Sequence, residues 1–180
     1  MIQDQFETLI ATHHGEIYRY LLLITGRVAD ADALSRDTFL RAFKARQSAG
    51  HVTDARRWLF AIATDLSRTR QRSRRRPARE PIGSDDYLTT SGHEQHAVAM
   101  AAISRLPSEQ RIALTLRKLH DFDYEGIGRM LGCSSKGARV CVMRAFRKLA
   151  RMRLVRSALR SVMSSEAVRV PAPATTGVRP

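Results

Sequence analysis

An all-α protein, built as two small helical domains joined by a flexible linker with the second ending in a helix-turn-helix, is predicted by three features of this sequence. Apolar residues recur at threes and fours over most of the chain, and no stretch alternates with the period of two that a half-buried strand requires. Charge is divided into blocks instead of being spread evenly. The stretch from Asp123 to Leu149, DYEGIGRMLGCSSKGARVCVMRAFRKL, has the punctuation of a short helix, a tight turn and a longer helix.

The chain has 180 residues, 43% of them hydrophobic, which suits one ordinary domain or two small ones with real cores. Its net charge of +14 becomes informative when divided by segment. Residues 1–66 hold eight acidic and eight basic side chains, and residues 67–79 hold seven arginines and no acid. Residues 80–109 are acidic by four, and residues 110–180 hold fifteen basic against four acidic groups. Two separated concentrations of positive charge point to a polyanion bound at two places. These divisions place a first helical domain at 1–76, a linker at 77–94, a second domain at 95–150 and a basic helix with a disordered tail at 151–180.

The N-terminal MIQDQFETLI has no basic region followed by an apolar run, and nowhere do eighteen apolar residues follow one another, so membrane insertion and export are not expected. The expected location is the cytoplasm. Cys133 and Cys141 are too few for a disulfide framework or a four-ligand zinc site, and His93 and His96 have no suitable partners nearby in sequence. No metal or cofactor is expected.

In the first domain, Phe6, Leu9, Ile10, Ile17, Leu21 and Ile24 recur at helical spacing, with His13, His14 and Gly15 between them, which predicts two helices ended by Gly26. Asp30 or Asp32 is suited to cap the next helix, whose apolar surface is Leu34, Phe39, Ala42 and Phe43. A third helix starts near Asp54, and Ala55, Trp58, Leu59, Ile62 and Leu66 form its buried stripe. That helix then runs into RTRQRSRRR, so its second half, carrying Arg68, Arg70 and Arg72, is offered to phosphate. Pro77 and Pro81 end regular structure, and the Gly-, Ser- and Asp-rich stretch beyond them forms the linker.

Helices resume near Gln95, and Pro107 is suited to the first position of another, with Ile112, Leu116 and Leu119 as its stripe. In the helix-turn-helix, Tyr124, Ile127, Met130 and Leu131 give the first helix its apolar side, and Gly132 stands where a left-handed C-cap belongs. Ser134 or Ser135 caps the second helix, whose core face is Ala138, Val142, Ala145 and Leu149. Its opposite face carries Lys136, Val140, Arg144, Arg147 and Arg151, with Met143 at the edge. A helix apolar on one side and cationic on the other, entered through a tight turn, presents base-reading and phosphate-binding groups to a major groove. Lys136 and Arg139, near its N-terminus, are the better placed for base edges or nearby backbone. Met152, Val155, Leu159 and Val162 continue the helical period beyond it.

The order of these segments resembles a group IV sigma factor, of the extracytoplasmic-function class, over about residues 5–76 and 95–150. DADALSRDTFLRAF is similar to the family segment that docks on the clamp helices of the RNA polymerase beta-prime subunit, and RRWLFAIATDLSRTRQRSRRR to the helix that melts and reads the minus-ten element. LPSEQRIALTLRKLHDFDYEGIGRMLGCS resembles the entry to the helix that reads the minus-thirty-five element. The resemblance implies a polymerase contact through Leu34, Asp37 and Thr38, and DNA contact through Arg68, Arg70, Arg72, Lys136, Arg139, Val140, Met143, Arg144 and Arg147. Core RNA polymerase, through its beta-prime clamp and beta subunit, and promoter DNA are then the partners, and the family admits an anti-sigma protein as another. Thr64 and Asp65 stand where the family often has arginine and asparagine. Gly126 and Gly128 each cost the first helix of the motif about 1 kcal/mol relative to alanine by intrinsic propensity.

The competing function is a helix-turn-helix repressor or activator whose first domain serves dimerisation or ligand sensing. It would need neither a docking-like segment nor a second arginine-rich surface. An enzyme such as a recombinase would need an α/β catalytic domain and a placed nucleophile, and an all-helical first half supplies neither.

Overall fold

The computed structural model describes residues 2–45, 53–73 and 100–152. In chain order the helices are α1 (Ile2–Thr25), α2 (Val28–Ala45), α3 (Ala55–Ser73), α4 (Ser108–Lys118), α5 (Tyr124–Leu131) and α6 (Ser135–Arg151), with a helical turn at 100–104 before α4. Among the described residues there is no strand. Residues 74–99, where the linker is expected, and the helix expected beyond Met152 lie outside the described residues.

The first module is α1, α2 and α3 packed on one another. α1 is one helix and not two: its backbone runs straight through His13, His14 and Gly15. His13 is half-buried and His14 and Gly15 are exposed, so polar residues interrupt the apolar pattern without breaking the helix, and a Cβ on Gly15 would meet nothing within 4 Å. Polarity at the surface imitates a break in the backbone. Gly26, at φ 71°, turns the chain out of α1, and its N–H closes on Leu22 O at 2.8 Å.

α2 begins at Val28, so neither Asp30 nor Asp32 is its cap. Asp30 instead points inward, only 6% exposed, and accepts a 3.0 Å hydrogen bond from Arg70 Nη2 of α3. α3 does start as expected, with Asp54 Oδ1 accepting from the Arg57 N–H at 2.8 Å. Ile17, Tyr20, Leu21 and Ile24 of α1, Leu34, Phe39 and Ala42 of α2, and Leu59, Phe60, Ile62 and Ala63 of α3 form the core. Each fully buried Leu or Ile contributes about 1.5–3 kcal/mol relative to exposure. Thr64 is buried among them: its hydroxyl donates to Phe60 O at 2.7 Å, so the Tyr20 O–H must be the donor in their 2.7 Å contact. Burial pushes the Tyr20 phenol up, against a smaller opposing effect of the Thr64 hydrogen bond. It is a neutral donor.

The second module packs α4, α5 and α6 together through Leu106, Ile112, Leu116, Ile127, Leu131, Val142 and Leu149. Pro107 is the N-cap of α4, with ψ 145°, and sits one position outside the helix.

The modules meet on a shared aromatic cluster. Phe60 of α3 lies 4.6 Å from the His120 ring and 5.0 Å from Phe122, and Tyr20 meets His120 edge-on at 5.6 Å. Around these rings runs a polar clasp. Arg56 Nε lies 3.1 Å from both Glu16 oxygens, its Nη2 also donates to Glu16, and the same Nη2 donates to His120 O at 3.0 Å. The guanidinium stands 4.8 Å from the Phe122 centroid. His120 Nδ1 completes the clasp at 3.0 Å from Glu16 Oε1. Burial raises the Glu16 pKa, but the His120 and Arg56 hydrogen bonds and the Arg56 charge outweigh it and hold the carboxyl at about 2, against an ordinary 4.5.

Candidate nucleic-acid interface

The helix-turn-helix is assembled by its caps. Asp123 Oδ1 accepts from Gly126 N at 2.8 Å to open α5, and Gly132, at φ 67°, closes it in the left-handed conformation. Ser134, rather than Ser135, then caps α6, its Oγ accepting from Gly137 N at 3.1 Å. The two glycines inside α5 are sites of close approach. A Cβ on Gly128 would lie 2.6 Å from Cys133 O, where the chain folds back to enter α6. On Gly126 it would lie 2.6 Å from the capping Asp123 Oδ1 and 2.9 Å from Arg57 Nη1. At Gly128 the propensity cost is the condition for a turn this tight, whereas at Gly126 the close neighbours are side-chain ends.

α6 separates its faces as expected. Ala138, Val142, Ala145 and Leu149 are buried, Lys136, Arg139, Met143, Arg144 and Arg147 are exposed, and Val140 is half-buried at the edge. At 1.5 Å per residue the ridge from Lys136 to Arg147 is about 16 Å long, on a helix whose width of about 10–12 Å matches the major groove. Lys118 of α4 stands 5.5 Å over the Phe146 ring and flanks the ridge with another cation.

The first module presents its arginines differently from the expectation. Arg68 is turned into the second module, with Nη2 3.4 Å from Glu109 Oε1 and Nη1 3.5 Å from Met130 O. Arg70 is tied to the buried Asp30. Arg72 is exposed at the end of α3. The structure thus brings Arg68 against the helix-turn-helix and leaves Arg72 outward.

The expected polymerase contact needs a correction in two of its three residues. Leu34 is 2% exposed and Thr38 0%, and the Thr38 hydroxyl donates to Leu34 O at 2.7 Å, so both side chains belong to the core and cannot meet a partner. Asp37 is exposed. The large apolar side chains of α2 that stay most open are instead Leu40, 58% exposed, and Phe43, 41% exposed. Helical phase was the available signal, because with Leu34, Thr38 and Ala42 inward at intervals of four, Leu40 must face outward.

Residues 9–77 match the Sigma-70 region 2 family and residues 96–149 match Sigma-70, region 4. The extracytoplasmic-function sigma factor EcfG of Rhodopseudomonas palustris is 31% identical over 137 residues, covering 72% of this chain and 75% of the relative. The chain belongs to the extracytoplasmic-function sigma factors. SigM of Mycobacterium tuberculosis is 27% identical over 150 residues, covering 82% of this chain and 76% of that protein. In fold, the chain is similar to the sigma factor RpoE from Bartonella quintana, solved with the anti-sigma factor NepR, with TM-score 0.66 at 19% identity over 87% of this chain and 97% of that one. The sigma factor binds core RNA polymerase and directs promoter-specific initiation of transcription, and sigma factors are regulatory subunits rather than enzymes. Among the described residues no helix is long and apolar enough to cross a membrane, and no cluster of three or more His, Cys, Asp and Glu could hold a metal ion. His93 and His96 lie outside the described residues.

Proposed function

We propose that this sigma factor divides its work by helix: the outward face of α2 docks on the polymerase clamp, the arginine end of α3 meets the downstream promoter element, and α6 reads the upstream one. The observation that carries this assignment is the cationic ridge of α6, backed by a buried face and accompanied in sequence by the arginine-rich segment 67–79 of the other module, from which Arg72 faces outward. A repressor has no use for that second arginine-rich segment. Lys136 and Arg139, on the first turns of α6, are assigned to base edges, Arg144 and Arg147 to phosphate or a guanine edge, and Val140 and Met143 to apolar contact such as a thymine methyl.

Asp37 and Leu40 are assigned to polymerase, because a charged residue beside an exposed leucine supplies both orientation and apolar contact. Its chemistry is binding alone, with no catalytic group of its own, and it acts where polymerase acts, in the cytoplasm. By its likeness to a sigma factor solved with NepR, an anti-sigma protein is a further partner.

Affinity for core polymerase checks the docking assignment. Leu40→Ala combined with Asp37→Arg should weaken binding at least tenfold while leaving the melting profile unchanged. Leu34→Ala should instead cost about 2–5 kcal/mol of stability, as a core truncation. Unchanged polymerase affinity in the folded Asp37/Leu40 double variant would remove α2 from the interface.

A further inference from the structure

Cys133 and Cys141 have no part in the assignments above, yet both open onto one groove in front of α6, where Lys136, Val140 and Arg144 also lie. Cys133 is exposed in the turn, Cys141 is half-buried two turns along the helix, and both are free thiols. Gly137 lies between them. The Cys133 Sγ is 3.4 Å from the point where a Cβ on Gly137 would stand, and the Cys133 Cβ is equally close to it. Cys141 follows Gly137 by four residues on the same face of α6, and side chains on a helix tilt toward its N-terminus. Its thiol is therefore directed back over the same bare backbone. Cβ atoms four residues apart on a helix are separated by about 5–6 Å, which with the 3.4 Å step from Gly137 puts the two cysteine Cβ atoms no more than about 9 Å apart. The sulfurs are also electrostatic neighbours. Burial pushes the Cys141 thiol up, and Cys133 and Glu109 add to that effect against the Arg144 charge.

Two thiols converging on a cleared space supply the donor set of a soft ion. A structural zinc site takes four ligands, and among the described residues no cluster of three or more His, Cys, Asp and Glu is present. Two-coordinate Cu(I) needs only the pair. With metal–sulfur bonds of about 2.3 Å, a linear bridge holds the sulfurs about 4.6 Å apart, which suits thiols that share a groove without being bonded. Binding breaks two S–H bonds and forms two Cu–S bonds, both protons leave to water, and copper stays Cu(I). The resulting bis-thiolate carries one net negative charge. Arg68, Lys136 and Arg144, which line the same groove, answer it.

We propose that Cys133 and Cys141 form a two-coordinate site for a soft monovalent ion, Cu(I), and that filling it weakens the hold of α6 on DNA. The bound ion sets a negative charge among Lys136, Val140 and Arg144 and ties the turn to the second turn of the helix. The ion site rests on the thiol geometry alone, whereas its effect on DNA rests on the reading of α6 given above.

The test is an anaerobic titration of the full chain with Cu(I) against bicinchoninate, a chromophoric Cu(I) chelator. Wild type should draw one Cu(I) per chain from the chelator, into a complex whose X-ray absorption shows two sulfur neighbours and no nitrogen. Cys133→Ser and Cys141→Ser should each lower the affinity at least tenfold. If either single variant holds Cu(I) as tightly as wild type, the pair is not the site and the proposal falls. On a mixed-sequence DNA duplex, one equivalent of Cu(I) should weaken wild-type binding at least threefold and leave the Cys133→Ser/Cys141→Ser variant unaffected. Equal wild-type binding with and without Cu(I) would overturn the effect on DNA. Failure of the α6 reading shows separately, because copper-free Lys136→Ala and Arg144→Ala variants would then bind the duplex as wild type does, whatever the copper titration gives.

Discussion

Gly15 and Gly128 are one residue type in opposite surroundings, and the difference makes a pair of opposed predictions. At Gly15, in an exposed helix interior with open space where a Cβ would go, alanine should stabilise the protein by about 0.5–1 kcal/mol, chiefly by restricting the unfolded chain. At Gly128, where a Cβ would press on the Cys133 backbone, alanine should destabilise by about 1–3 kcal/mol despite its better propensity. Urea midpoints of the two variants check both signs. Sequence reveals only the propensity cost at Gly126 and Gly128. At Gly128 what offsets it is the Cys133 backbone brought in by the turn, and that neighbour is not visible in the residue itself.

Glu16 carries a pH dependence of known sign. Its folded carboxyl titrates at about 2, below the ordinary 4.5, so its stabilising effect is complete above pH 4.5 and is lost as pH falls toward 2. The stability difference between wild type and Glu16→Gln should therefore be largest above pH 4.5 and shrink steadily on acidification. A difference that stayed constant from pH 5 to pH 2.5 would show that the carboxylate is not held by Arg56 and His120.

At the scale of elements, helices whose ends are written in side chains were the readable ones. Asp54 opens α3, and Ser134 and Gly132 bound the turn before α6, because capping depends on chemistry within three residues of the end. α1 is one helix where the sequence predicts two, because a polar surface patch imitates a break. Resemblance implies a polymerase contact for Leu34 and Thr38, whereas helical phase puts them in the core. α6 was readable on both faces, and its ridge yields a prediction that separates its residues. Arg144→Ala or Arg147→Ala, if the residue binds phosphate, should weaken all DNA sites alike and lower the salt slope by about 1. Lys136→Ala or Arg139→Ala, if the residue reads a base, should cost about 1–3 kcal/mol at one position and relax specificity there. Salt titrations on matched and mismatched duplexes distinguish the two outcomes, and unchanged binding in all four would remove the ridge from the interface.

At the scale of the whole molecule, the division into a neutral and a basic module followed from charge alone, but their docking did not. Phe60 stands off the expected stripe of α3, and His120 and Phe122 sit in the connection between α4 and α5, where no periodicity marks them as buried. Contacts between residues as distant as Glu16 and His120 have no local signature. The central claim, that these modules together make a promoter-specificity subunit, is tested most directly by transcription. Purified protein added to core RNA polymerase should produce defined transcripts from a library of promoter fragments, and changing the spacing between the two selected elements by half a helical turn should abolish them. Transcripts that ignored that spacing, or a polymerase left as inactive as the core enzyme alone, would contradict the account.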